Sequence, residues 1–437
     1  MLGLSDMEYK RVEISPGATL GVIDTDKFKI NDLWLSFTAP LSRDTAALNS
    51  LLPLVLARGT RTLPGIGDIS RKLDDLYAAV LTPRGLKRGE THLFGFFASM
   101  LDDFYSLDGS SISGGVLSLL RELLTDPSKL GEWFRPEYVE GEKKVLCSYI
   151  SAEINNKKRY AYKRCVEEMC ADEPYGIADS GTIEEVMSVT PKTLWEHYRR
   201  VLSECHIEAF YVGRYSDAIF EKLCEITDGI GSAVKPDHTP IIIRRAERVR
   251  RVTEAQPVRQ GKLCVGYRTG AVLSDPDYHK YTVFNSVFGA SPVSKLFMNI
   301  REKLSLAYYC SSYTCDPLKG IMMVSSGIDA ANRENTEEEI ARQLAAIAAG
   351  DITDTELDAA KKSIVNSYRE SYDVPSSLES WYTLRMMAGR SDSPAENAKR
   401  ILSVTKEDVA EIASRVTTDT VYFMEPTLLG EEEDADE

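Results

Sequence analysis

At 437 residues the chain exceeds the roughly 100 to 200 residues that one compact core usually supports, so two or more domains are expected. Hydrophobic residues make up 43% and charged residues 27%, the balance of an ordinary globular protein. The formal net charge of −15 argues against a nucleic-acid partner, which needs Lys and Arg gathered on one face.

The opening "MLGLSDMEYKRVEI" mixes acidic and basic side chains and has no apolar run, so neither a secretory signal nor a membrane anchor is expected. "WLSFTAPLS" (34–42) reads as a strand. Residues 45–57 then hold no charge and no histidine. A run this short suits a core helix, because a membrane span needs about 20 apolar residues. Pro53 sits awkwardly in its middle, and the run ends in Arg58-Gly59-Thr60. A helix from Ile69 leads into a hairpin, "LYAAVLTP" turning at "RGLKRGE" and returning as "THLFGFFASM". In "SVTPKTLWEHY" (188–198), Thr190 is placed as an N-cap and Pro191 at the first helical position. "IEAFYVG" closes the half at Gly213. Residues 228–258 are rich in turn residues and include "RRAERVRR" (244–251), expected to be a solvated linker strand rather than a phosphate site.

The second half repeats this order. "CVGYRTGAVLS" (264–274) answers the first strand, and "IREKLSLAYYCS" from Ile300 answers "ISRKLDDLYAAV" from Ile69. "AYYCSSYTC" turns at "DPLKG" into "IMMVSSGID". "SVTKEDVAEIA" (403–413) answers "SVTPKTLWEHY", with Thr405 as its cap, and "DTVYFME" closes at Glu425. The expected fold is α+β: two homologous αβ domains, each a largely antiparallel sheet with packed helices. Residues 1–230 form the first, 231–258 a linker, 259–427 the second, and 428–437 an acidic, solvated tail.

Little else in the sequence carries chemistry. The eight cysteines form no C-x-x-C pair and are expected to be reduced thiols of a cytoplasmic protein. The five histidines (92, 197, 206, 238, 279) are scattered, and His197 is expected at the surface. The two "GIG" stretches lack the rest of a phosphate-binding fingerprint, and no Ser or Cys sits in a nucleophile elbow.

The two αβ repeats, with "SKLFMNIREKLSLAYY" and "NNKKRYAYKRCVEEMCADEPYG" (155–176), resemble the pitrilysin/insulinase zinc peptidases, the inverzincins. The resemblance is nearest to non-catalytic members associated with the 5-aminopentanol modification of elongation factor P. Active members carry H-x-x-E-H on a first-domain helix: two His four apart bind one Zn²⁺, and the Glu takes a proton from the metal-bound water. Counting back from Arg58-Gly59-Thr60, the corresponding residues here are Ser50, Pro53 and Leu54. The third ligand position falls at Tyr149, with Glu153 the nearest acid, so no metal is expected in this chain. The resemblance further implies that Arg301 and Tyr308 of the second domain bind substrate, reaching toward a peptide at the zinc. The first copy has Ser70 opposite Arg301 and Tyr77 opposite Tyr308. The alternatives at this site are a plain surface pair between Arg301 and Glu302, and Tyr309 in place of Tyr308.

The resulting expectation is a non-catalytic subunit of a heterodimeric zinc metallopeptidase. It would have no peptidase activity alone, and a partner of the same family would bring H-x-x-E-H and the zinc cofactor to a peptide substrate. The alternative is a catalytically inactive homodimer that binds or encloses peptides.

Overall fold

The computed structural model describes residues 7–427; the acidic tail 428–437 lies outside the described residues. In chain order the elements are β1 (Tyr9–Ser15), β2 (Ala18–Asp24), β3 (Ile30–Pro40), α1 (Arg43–Leu56), α2 (Ile66–Asp75), β4 (Val80–Arg88), β5 (Thr91–Leu101), α3 (Ile112–Thr125), β6 (Lys129–Leu130), β7 (Trp133–Phe134), α4 (Pro136–Ala152), α5 (Lys157–Met169), α6 (Ile183–Ser188), α7 (Pro191–Glu204), β8 (His206–Gly213) and α8 (Asp217–Thr227). The second half adds β9 (Arg250–Gln256), β10 (Gly261–Arg268), α9 (Tyr278–Asn285), β11 (Tyr309–Asp316), β12 (Ile321–Ile328), α10 (Arg333–Ala348), α11 (Asp354–Glu370), α12 (Pro375–Met387), α13 (Pro394–Ser403), α14 (Lys406–Arg415) and β13 (Thr417–Pro426). Two π-helical segments, Ser286–Ala290 and Phe297–Lys303, lie between α9 and β11.

The duplication is written in the sheets. The first runs β1-β2-β8-β3-β5-β4 and the second β9-β13-β10-β12-β11, given from its other edge. Apart from β1 the two orders coincide, and so do the pairing senses. β2 with β8 and β9 with β13 are parallel. Every other pair in both sheets is antiparallel. The expected α+β class and its repeat are thus what the chain folds into. The helix caps repeat too: Thr190 caps α7 and Thr405 caps α14, each in a reciprocal capping box.

Two details differ from the sequence reading. In the first hairpin, "RGLKR" continues β4 as far as Arg88. Pro83 lies inside that strand because β4 is an edge, where proline is tolerated since alternate N–H groups face no neighbouring strand. Residues 250–256, expected in a linker, form β9.

The chain divides into two compact units that are not contiguous in sequence. Unit 1 comprises Met1–Ala152, Ile177–Thr239 and Val374–Thr383; unit 2 comprises Glu153–Gly176, Pro240–Asp373 and Leu384–Glu437. In unit 1, alternation sends Leu33, Leu35 and Phe37 of β3 into a core shared with Leu51, Leu52 and Val55 of α1 and with Leu117 and Leu120 of α3. The returning segment brings Tyr382, whose ring stacks on Tyr9 at 4.2 Å, and Glu379, which pairs with Arg84 at 3.1 Å. Gly21 makes room for this stack, since a Cβ there would sit 2.8 Å from the Phe210 ring and 3.0 Å from Tyr9.

In unit 2, α5 lays Ala161, Cys165, Val166 and Met169 on the second sheet against Cys264, Met323, Tyr422 and Met424. The same segment supplies Glu173, buried between Arg268 (2.6 Å) and Lys319 (2.7 Å), with Asp419 also on Arg268 at 2.7 Å. The two cations hold the Glu173 carboxyl below its ordinary pKa although burial pushes the other way.

Candidate functional site

In unit 1 the ligand positions of the resemblance fall on α1, which begins at the Ser42 cap and buries Asn49, Leu51, Leu52, Pro53, Val55 and Leu56. Ser50 donates its hydroxyl to the Asp179 carbonyl at 2.8 Å, and Leu54 packs half-buried against the core. Pro53 removes the N–H that would have met the Asn49 carbonyl, and the helix resumes with Ala57 N–H on the Pro53 carbonyl at 3.0 Å. None of these three side chains can bind zinc in the manner of His or Glu. On α4, Tyr149 is 69% exposed. Glu153 falls in unit 2 and pairs with Lys163. Among the described residues no three His, Cys, Asp or Glu side chains gather to hold a metal ion.

Beside these positions runs a buried polar chain that the sequence did not reveal. Arg200 Nη2 donates to His197 Nδ1 (3.2 Å), which leaves His197 Nε2–H to donate to Asn49 Oδ1 (2.7 Å). Asn49 Nδ2 then donates to His92 Nδ1 (3.3 Å). His92 Nε2, the last donor, has no hydrogen-bond partner among the described residues. His197 is therefore buried, not a surface residue: with Leu194, Tyr198 and Val201 it lies on the inward stripe of α7. Burial lowers both imidazoles to about 4, helped by Arg200 at His197; at His92 a nearby Asp179 opposes it.

The Arg58-Gly59-Thr60 anchor is structural. Arg58 pairs with Glu142 of α4 at 3.1 Å and lies over the Tyr138 ring. A Cβ on Gly59 would sit 2.6 Å from the Pro64 carbonyl oxygen. Thr60 accepts the Leu63 N–H at 2.9 Å and donates to Glu122 at 3.2 Å.

In unit 2, Arg301 stands in the last turn of the π-helical segment Phe297–Lys303, solvent-exposed, its guanidinium 4.9 Å from the Phe297 ring centroid. The pairing with Glu302 exists at 3.6 Å between two side chains that are each about half exposed, a contact worth roughly 0 to 1 kcal/mol. Ile69 and Ile300 are both buried and Ser70 and Arg301 both exposed, whereas Tyr77 is half-buried and Tyr308 exposed. Tyr308 is 61% exposed, its hydroxyl 3.4 Å from Asp329 Oδ1. Tyr309 begins β11 and turns the other way, half-buried beneath Lys158. Upstream, Gly289 of "FGASPVSKLF" packs on β11, where a Cβ would lie 2.6 Å from Ser312 Oγ.

A duplicated αβ chain whose first copy has apolar and hydroxyl side chains where zinc ligands would stand is metalloprotease-like. A family model described as the peptidase M16 inactive domain matches residues 188–364. The chain is 32% identical over 416 residues to a Bacillus subtilis protein described as probable inactive metalloprotease YmfF, covering 94% of this chain and 96% of that one. By structure it is similar to a conserved protein from Enterococcus faecalis V583 (TM-score 0.89, 27% identity, 97% of this chain and 100% of that one). A peptidase M16 inactive domain from Pseudomonas fluorescens shares the fold (TM-score 0.76, 16% identity, 97% of this chain and 100% of that one). The chain belongs to the M16 peptidase family, as an inactive, metalloprotease-like member.

Proposed function

We propose that this chain is the non-catalytic subunit of a two-chain zinc peptidase, contributing Arg301 and Tyr308 to peptide bound at a partner's metal. One observation carries the reading: Arg301 is exposed at a position where the homologous first copy manages with Ser70, so the fold does not require it. Among the described residues its guanidinium meets Glu302 and Phe297, both of which an incoming carbonyl could replace. An Arg fork and a Tyr hydroxyl donating to the scissile carbonyl would stabilise the developing oxyanion. The water-activating chemistry belongs to the H-x-x-E-H partner, and the substrates in this reading are unfolded peptides: a leader or precursor peptide, or a product linked to elongation factor P modification. A cytoplasmic setting fits free thiols at all eight cysteines.

Mixing the chain with an H-x-x-E-H partner should restore cleavage of a reporter peptide, and Arg301→Ala should then lower kcat/KM by about 100-fold, the scale of one lost oxyanion donor. Full activity of that variant removes Arg301 from the mechanism. Tight peptide binding by a homodimer, with no cleavage in any mixture, favours the inactive peptide-binding alternative.

A further inference from the structure

Outside the site just described, a run of three cations stands at the start of α5 in unit 2. Arg164 is neutralised by Glu167 (2.6 Å), Glu168 (2.9 Å) and Glu254 (3.4 Å), and Lys163 by Glu153. Lys157, Lys158 and Arg159, one turn earlier, have no carboxylate partner among the described residues. In a chain of net charge −15 this is a conspicuous place to leave three cations unpaired.

Aromatic surface adjoins them. Lys158 Nζ lies 4.3 Å from the Tyr309 ring centroid, and Lys262 approaches the same ring at 5.8 Å. Tyr309 and Tyr313 share one face of β11, and Tyr313 meets Tyr162 of α5 at 5.4 Å. Asn156, Lys158, Arg159, Tyr162 and Tyr313 line an open cavity of about 260 Å³.

We propose that this face binds an acidic peptide segment. The cavity takes one Glu or Asp side chain, its methylenes on the tyrosine rings and its carboxylate on Lys158 and Arg159. Successive helix positions turn by about 100°. Lys158 and Arg159 line the cavity while Lys157 lies outside its lining, so the face offers cations at more than one point, which suits carboxylates spaced along a chain better than free phosphate. The surrounding negative protein repels such a peptide elsewhere, so the patch also selects its register. Binding here needs only this chain and stands apart from any heterodimer: its failure would leave reconstituted cleavage untouched.

The test is fluorescence anisotropy of the full chain with a labelled peptide bearing four Glu residues, against the same peptide with Gln, at low and at physiological salt. Saturable binding is expected for the Glu peptide, weakening with salt. Affinity should fall at least about tenfold in Lys158→Glu/Arg159→Glu. Both side chains are exposed, and an unchanged melting curve shows that the variant folds; Lys158→Gln/Arg159→Gln is the milder second variant. Equal binding of the Gln peptide, or of both variants, overturns the proposal. So does displacement by equimolar inorganic phosphate, which would assign the face to a small anion. Binding that appears only when the chain ends at Thr427 would assign it to the protein's own residues 428–437 and overturn an external partner.

Discussion

Asn49 bonds one ring nitrogen of each of two buried imidazoles, and both are neutral because burial holds them at about 4. Their unfolded value is about 6.5. Between about 4 and 6.5 the unfolded chain therefore binds more protons than the folded one, and the stability that neutral histidines support is lost as pH falls through that window. Glu208 works against this. Burial lifts it to about 7 despite Arg11 at 2.6 Å, so its contribution falls as pH rises from about 4.5 to 7. His238 is held at about 4 by burial as well, so three imidazoles oppose one carboxyl, and calorimetry should show a melting temperature that drops on acidification from pH 6.5 to 4. In His92→Gln/His197→Gln the drop should shrink, leaving His238 against Glu208; an unchanged pH profile would mean the two imidazoles are not buried neutral. Asn49→Ala strands two ring nitrogens and should cost roughly 2 to 4 kcal/mol in urea unfolding. The sequence concealed this chain: Asn49 and His92 are 43 positions apart and meet only because α1 packs on the sheet. His197 was more legible, since its spacing from Leu194, Tyr198 and Val201 is that of an inward stripe.

Two elements pack away from the half of the sequence that holds them, the first turns of α12 and, over its whole length, α5. Its loop ends in Glu173, which stands between two buried cations. Glu173→Ala removes the carboxylate that faces both Arg268 and Lys319, leaves Asp419 on Arg268, and should destabilise unit 2 by about 3 to 5 kcal/mol. Limited proteolysis should then open first within residues 153–176. Cleavage of the variant at wild-type rate would show that the apolar contacts of α5 suffice without the ion cluster. The first hairpin's turn was read too early, over "RGLKRGE", and β9 as linker, but most other strands and both Thr caps were readable because local rules specify them: alternating apolar residues, and Thr at the two N-caps. The placement of α5 was not, because packing on Met323 and Tyr422 is a choice made by residues more than 150 positions downstream. At α1 the loss of ligands was legible from Ser50, Pro53 and Leu54, whereas the polar chain that stands beside them was not.

For the whole molecule the simplest check is metal content. The purified chain should carry far less than one tightly held zinc, and a stoichiometric zinc that survives dialysis against a weak chelator would contradict the assignment of α1. The composition of unit 1 has a different consequence, for the order in which the protein can be made. The Thr239 end of its main body leaves the ribosome about 135 residues before Val374, the start of the segment whose Tyr382 completes the ring stack on Tyr9. At bacterial or eukaryotic elongation rates of about 5 to 20 residues per second, that is on the order of ten seconds. During this interval the nascent first unit exposes Tyr9 and Phe210 and leaves Arg84 without Glu379. Vectorial synthesis cannot finish the first domain before the second has begun.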